Sequence, residues 1–125
     1  MSEPKRVKVS AGVVAAHATL NQTVAAQRIW DALPLEFRVS TWGDELYGSI
    51  PLDVPSENPQ EVVGIGDLAF WPPGHAFCLF FGPTPASVGD EPRAASEVTV
   101  FGHIDGDATV FRAVQSGTRV RVEQA

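Results

Sequence analysis

The chain has a single cysteine in 125 residues. No internal disulfide can therefore staple the fold, and Cys78, set between Phe77 and Leu79, reads as an inert buried thiol suited to a reducing compartment. Positive charge is also short. Nine Lys plus Arg against 15 Asp plus Glu give a formal charge of -6, without the basic footprint of a duplex nucleic-acid binder, and anionic membranes are poor partners for the same reason. No apolar run approaches the ~20 residues of a spanning helix. The opening M-S-E-P-K-R-V-K-V-S has no signal-type apolar core, so a soluble, cytoplasmic protein is expected. Histidine is sparse: His17, His75 and His103 have no second His or Cys at metal-ligand spacing, and no metal site is expected. The glycines form no phosphate-binding loop, and Ser87, Ser96 and Ser116 lack a nucleophile-elbow context. No catalytic residue and no cofactor are assigned on these patterns.

What the chain does have is an aromatic centre. Gly66 to Pro85, G-D-L-A-F-W-P-P-G-H-A-F-C-L-F-F-G-P-T-P, holds four of the seven phenylalanines and one of the three tryptophans. Asp67 to Trp71 and His75 to Phe81 read as two strands, because aromatic residues favour a pleated surface and Pro72-Pro73-Gly74 forbids a continuous helix. Phe77 and Phe80 point to opposite faces of the second strand.

On either side the period is mostly two. Arg6 to Ser10 and Val13 to Leu20 alternate around Ala11-Gly12 as a hairpin, with Val14, Ala16, Ala18 and Leu20 on one face. Ala26, Ile29, Trp30 and Leu33 then fall at helical spacing, so a helix is expected near Asn21 to Leu33, capped by Thr23 or Asn21 and stopped by Pro34. Phe37 to Trp42 and Glu45 to Ile50 flank Gly43-Asp44 as a second hairpin. Asp44 and Glu45, two carboxylates in one turn, are expected to be solvated. Pro51, Pro55 and Pro59 mark a surface loop, and Gly82 to Ser96, about 15 residues with three prolines, reads as a long mobile loop. Val98 to Ile104 resumes the strand period with Val98, Val100 and Ile104 inward. Asp107 caps a short second helix, ending before Gly117, that buries Val110, Phe111 and Val114, and Thr118 to Glu123 closes the chain as a strand. The sum is one domain over residues 1–125, mainly β: a closed eight-stranded antiparallel barrel with two capping helices, closure being the way to remove exposed edges.

Several strings resemble a known family. Thr99-Val100-Phe101-Gly102-His103-Ile104 is similar to the Val-Phe-Gly strand of cyclophilins, and Phe80-Phe81 to their double Phe. T-W-G-D-E-L-Y at Thr41 to Tyr47, I-G-D-L-A-F-W-P-P-G at Ile65 to Gly74 and C-L-F-F-G-P-T-P at Cys78 to Pro85 resemble a family of small prokaryotic cyclophilin-like barrels of unknown function. The resemblance implies the cyclophilin-like barrel and brings the question of prolyl isomerase activity. Cyclophilins hold a twisted X-Pro bond with a strand arginine in a Phe-His-Arg-Val string; Phe37-Arg38-Val39 is one residue short of it, and Arg38 is the only position onto which the resemblance carries that role. The apolar and glutamine residues of the cyclophilin site have no counterpart.

The functional expectation is a binding domain with little or no isomerase activity, taking a small anionic molecule or an extended peptide in a cleft lined by Arg38, Trp42, Tyr47, Trp71 and His75. The alternatives are a divergent prolyl isomerase and a structural subunit of a larger complex. Oligomeric state is not legible in the sequence.

Overall fold

The computed structural model describes residues 4–125. Its strands are β1 (Arg6–Ala11), β2 (Val14–Leu20), β3 (Leu35–Arg38), β4 (Ser40–Thr41), β5 (Glu45–Ser49), β6 (Gln60–Val62), β7 (Asp67–Trp71), β8 (Ala76–Phe80), β9 (Arg93–Ile104) and β10 (Arg119–Gln124). One helix, α1 (Val24–Ala32), follows β2. All pairings are antiparallel, in the order β3-β10-β1-β2-β9-β7-β8-β5-β4, with β6 added alongside β9.

The closed eight-stranded barrel is corrected on both counts, because the sheet has ten strands and is open. The run Phe37 to Trp42 is broken at Val39 into β3 and β4, which lie at opposite edges of the sheet. The two edge strands are joined through Val39, and at that bend the β3 backbone lies over the face of β5 instead of beside it. A Cβ built on Gly48 would collide with the Arg38 carbonyl oxygen. Strands stacked this way cannot form a ladder, whose partners must lie side by side about 4.8 Å apart. Val39 instead exchanges hydrogen bonds with the chain before β10: its amide donates to the Thr118 carbonyl at 3.0 Å and its carbonyl accepts from Gly117 at 2.7 Å.

The first hairpin and α1 form where the periodicity places them. The Thr23 hydroxyl accepts from the Ala26 amide at 3.0 Å, and Asn21 Oδ1 in turn accepts from the Thr23 amide at 3.1 Å. A second cap comes from far away in sequence. The Glu57 carboxylate, in the proline-rich loop, accepts from the Val24 and Ala25 amides at 3.1 and 2.8 Å, satisfying donors that the first helical turn leaves free. The segment after Asp107 is a 3-10 helix, Ala108–Ala113. Its three-residue turn aligns Ala108 and Phe111 with Val114, all buried, and leaves Val110 exposed, contrary to the helical expectation.

Every residue of β8 is buried, so both faces of the sheet are covered there. On the inner face, Phe77 packs between Phe37 and Phe101, with ring centroids 5.1 and 5.2 Å away, in a core that also takes Leu68, Phe70, Leu79, Ile29 and Phe111. On the outer face Phe80 joins Val63, Ala69, Ala76, Cys78, Ala94 and Val98 in a smaller core. A register shift between Leu68 and Ala69 inserts an extra residue, Phe101, into β9. That bulge corrects the expected common face of Val98, Val100 and Ile104: Val98 and Val100 belong to the outer cluster, Phe101 and Ile104 to the inner one.

The long loop is shorter than expected, because β9 begins at Arg93 and its first residues pair with β6. Side chains stand in for the missing ladder. Thr84 Oγ1 donates to the Arg93 carbonyl, the Thr84 amide donates to Ser87 Oγ at 2.9 Å, and the Glu91 carboxylate accepts from the Val88 and Gly89 amides at 2.9 and 2.8 Å. Those amides, the Val88 N–H first, hold the Glu91 carboxyl down at about 2. No helix among the described residues is long and apolar enough to cross a membrane.

Candidate functional site

Three of the five residues expected to line a cleft come together on the outer face. Trp42, Tyr47 and Trp71, with Glu45, Ala94 and Ala95, enclose a pocket of about 230 Å³. Tyr47 and Glu45 are two apart on β5 and so share a face. Opposite them on β8 stand Cys78 and Phe80, and next along the sheet, on β7, Ala69 and Trp71. The small residues at Ala69, Ala76, Cys78 and Ala94 leave room for a hollow between the large rings of this face.

Two of the rings are anchored by named contacts. The Trp71 indole donates its Nε1 hydrogen to Ser96 Oγ at 2.7 Å, and Gly74 lies against the six-membered half of the same ring, where a Cβ would stand 3.0 Å from its carbons. Trp42 is placed by the turn into β5: its amide donates to the Glu45 carbonyl at 3.0 Å around Gly43, whose φ is +60°. A side chain at Gly43 would press 2.8 Å from the Thr84 Cα, because the Pro83-Thr84-Pro85 segment packs directly on this turn. The Asp44 amide donates to the Pro83 carbonyl and the Phe81 amide to the Asp44 carbonyl, both at 2.9 Å. Thus W-G-D-E and F-F-G-P-T-P, distant in sequence, form one unit that fixes the wall of the pocket.

Glu45 is the residue that the sequence reading placed wrongly. The expected solvated pair separates: Asp44 turns outward to accept from Arg112 Nη2 at 3.0 Å, whereas Glu45 is 6% exposed. Burial pushes its carboxyl up from 4.5 to about 7, against a smaller opposing effect of the Cys78 thiol. No Lys, Arg or His among the described residues lies within ion-pair distance of it. The Cys78 thiol is likewise pushed well up, by burial first and then by Glu45, so it stays protonated.

Arg38 and His75 are not in the pocket lining. Arg38 Nη1 donates to the Gly117 carbonyl at 2.9 Å at the β3 edge, reaching neither the pocket nor a carboxylate. His75 ends the Pro72–Gly74 3-10 turn in the left-handed region, φ +46°, and its Nε2 lies 2.8 Å from Asp53 Oδ1. Ala94 and Ala95 were missed because they fall in the stretch read as loop. Glu45 had one legible signal: alternation puts it on the Tyr47 face of a strand.

A family model described as cyclophilin-like matches residues 5–123. This chain belongs to the cyclophilin-like family. Among solved structures, a solution structure of a hypothetical protein from Archaeoglobus fulgidus is 35% identical over 100% of both chains, with a TM-score of 0.81. No curated protein matches the chain. A shared fold does not assign a chemistry, which rests on the residues of the pocket itself.

Proposed function

We propose that this cyclophilin-like chain is a binding domain whose site is the pocket between Trp42, Tyr47 and Trp71, with little or no prolyl isomerase activity. One observation carries the reading: two aromatic side chains of the β4–β5 hairpin, Trp42 and Tyr47, and Trp71 of β7 converge over a buried carboxyl in a partly open hollow. Such a hollow, mostly apolar with a few polar groups, is the usual form of a small-ligand site. Its volume of about 230 Å³ sets the size of the guest. A cavity of roughly 150 Å³ accepts benzene, and drug-sized ligands occupy roughly 300 Å³ or more, so a compact molecule or the end of one peptide side chain fits here.

Two features argue for binding over turnover. The pocket lining offers a single proton-carrying carboxyl, with no arginine to polarise an amide carbonyl as isomerisation requires. Arg38, to which the resemblance assigns that role, is engaged with Gly117 instead. The test pairs a proline-peptide isomerisation assay with a thermal-shift screen of small molecules on wild type, Trp71→Ala and Arg38→Ala. Ligand-induced stabilisation that Trp71→Ala abolishes and Arg38→Ala leaves intact is the expected outcome. Robust isomerase activity lost in Arg38→Ala would overturn the reading.

A further inference from the structure

We propose that the pocket takes a small organic cation, a methylated or quaternary ammonium group, held by the aromatic side chains of Trp42, Tyr47 and Trp71 with Glu45 as its counter-ion. The inference rests on the binding reading above and narrows it to one chemical class.

Several observations lead there. Aromatic rings attract cations through the negative potential of their faces, Trp most strongly, and the pocket has two Trp and one Tyr. The buried Glu45 carboxyl has no ion-pair partner among the described residues, so when it ionises no cation of the protein offsets its charge. The nearby arginines are committed elsewhere, Arg93 to Glu91 at 3.1 Å and Arg112 to Asp44 at 3.0 Å. The remaining walls, Ala94 and Ala95, bring no charged side chain. Such walls suit an alkylated ammonium, which needs few hydrogen bonds, and not a hard metal ion, which takes about six oxygen ligands where this pocket offers one carboxyl. The formal charge of -6 favours the approach of a cation at long range. The anionic guest expected from the sequence had Arg38 as its anchor, and Arg38 lies outside the pocket.

Protonation supplies a signature. With its carboxyl at about 7, Glu45 is neutral in mild acid and charged above that point. The titratable groups that face it are Cys78 from β8, which stays protonated, and Tyr47 from its own strand; β7 and β9 contribute Trp71, Ala94 and Ala95. Cation affinity therefore rises with pH through the neutral range, while affinity for an uncharged guest of the same shape does not.

The experiment compares choline with 3,3-dimethyl-1-butanol, its uncharged isostere, by tryptophan fluorescence and calorimetry on the full chain. At about pH 8, choline is expected to bind at least about tenfold tighter, and the preference is expected to shrink at about pH 5 and in Glu45→Gln to the smaller share that the rings alone supply. A short peptide carrying trimethyl-lysine forms a further arm: tighter binding than choline marks a side-chain guest, weaker binding a free one. Equal or better binding of the uncharged isostere at the higher pH would overturn the cation inference and leave the pocket reading standing. If neither charged probe nor isostere binds to a protein that is folded by circular dichroism, both fall. Loss of binding in Trp71→Ala with unchanged folding separates the pocket from a distant surface site.

Discussion

Replacing Glu45 with Gln should stabilise the protein in neutral and alkaline solution and have little pH-dependent effect in acid. Burial raises the carboxyl from 4.5 to about 7. In that interval the folded chain holds a proton that the unfolded chain has released, so stability falls as pH rises from the unfolded value through the folded one. At about 1.4 kcal/mol per pH unit the full penalty is about 3 kcal/mol, absent below about pH 4.5 and complete somewhat above pH 7. The glutamine side chain has the shape of the acid without the titration. Its amide hydrogens bring a pH-independent cost of about 1 kcal/mol where they find no acceptor, which shifts the whole curve and not its slope. Urea unfolding followed by circular dichroism, on both proteins across the acid-to-alkaline range, gives the difference in stability at each pH. Because other titrations are common to both chains, they cancel in that difference. A difference that is flat with pH to within about 0.5 kcal/mol, or that favours the variant more in acid, would refute the argument that Glu45 is held in a desolvated site.

Phe77→Ala removes the ring that links Phe37 and Phe101 in the inner core and should cost about 3–5 kcal/mol by urea unfolding, with the outer pocket still able to bind. Gly48→Ala puts a methyl group against the Arg38 carbonyl and 2.7 Å from Phe37 Cδ2 where β3 crosses β5, and a loss of about 1–3 kcal/mol or more is expected in the same unfolding assay; a neutral result would mean that the two strands do not cross in contact. Glu57→Ala strips two amides at the start of α1 of their carboxylate and should cost about 1 kcal/mol, with faster amide exchange confined to the first helical turn.

Residue order was enough to locate the local elements and the pairing of neighbours. Alternation located β1 and β2, the Pro-Pro-Gly interruption located the β7–β8 hairpin, and Thr23 and Pro34 bounded α1, because each depends on residues a few positions apart. It also carried the family, through strings whose reason is now visible: W-G-D-E and F-F-G-P-T-P pack on each other. What depends on distant partners was settled only when the chain folded. The split of β3 from β4 at Val39 follows from the crossing over Gly48, which no local pattern encodes. Of the expected site residues, Trp42, Tyr47 and Trp71 meet only because β5, β8 and β7 are adjacent in the sheet, and Arg38 is carried away to the β3 edge. Glu45 shows the reason most plainly. Next to Asp44 in sequence it reads as one of two solvated acids, but it pairs opposite Phe80 on a strand buried on both faces, and burial in the folded sheet removes its water and raises its carboxyl.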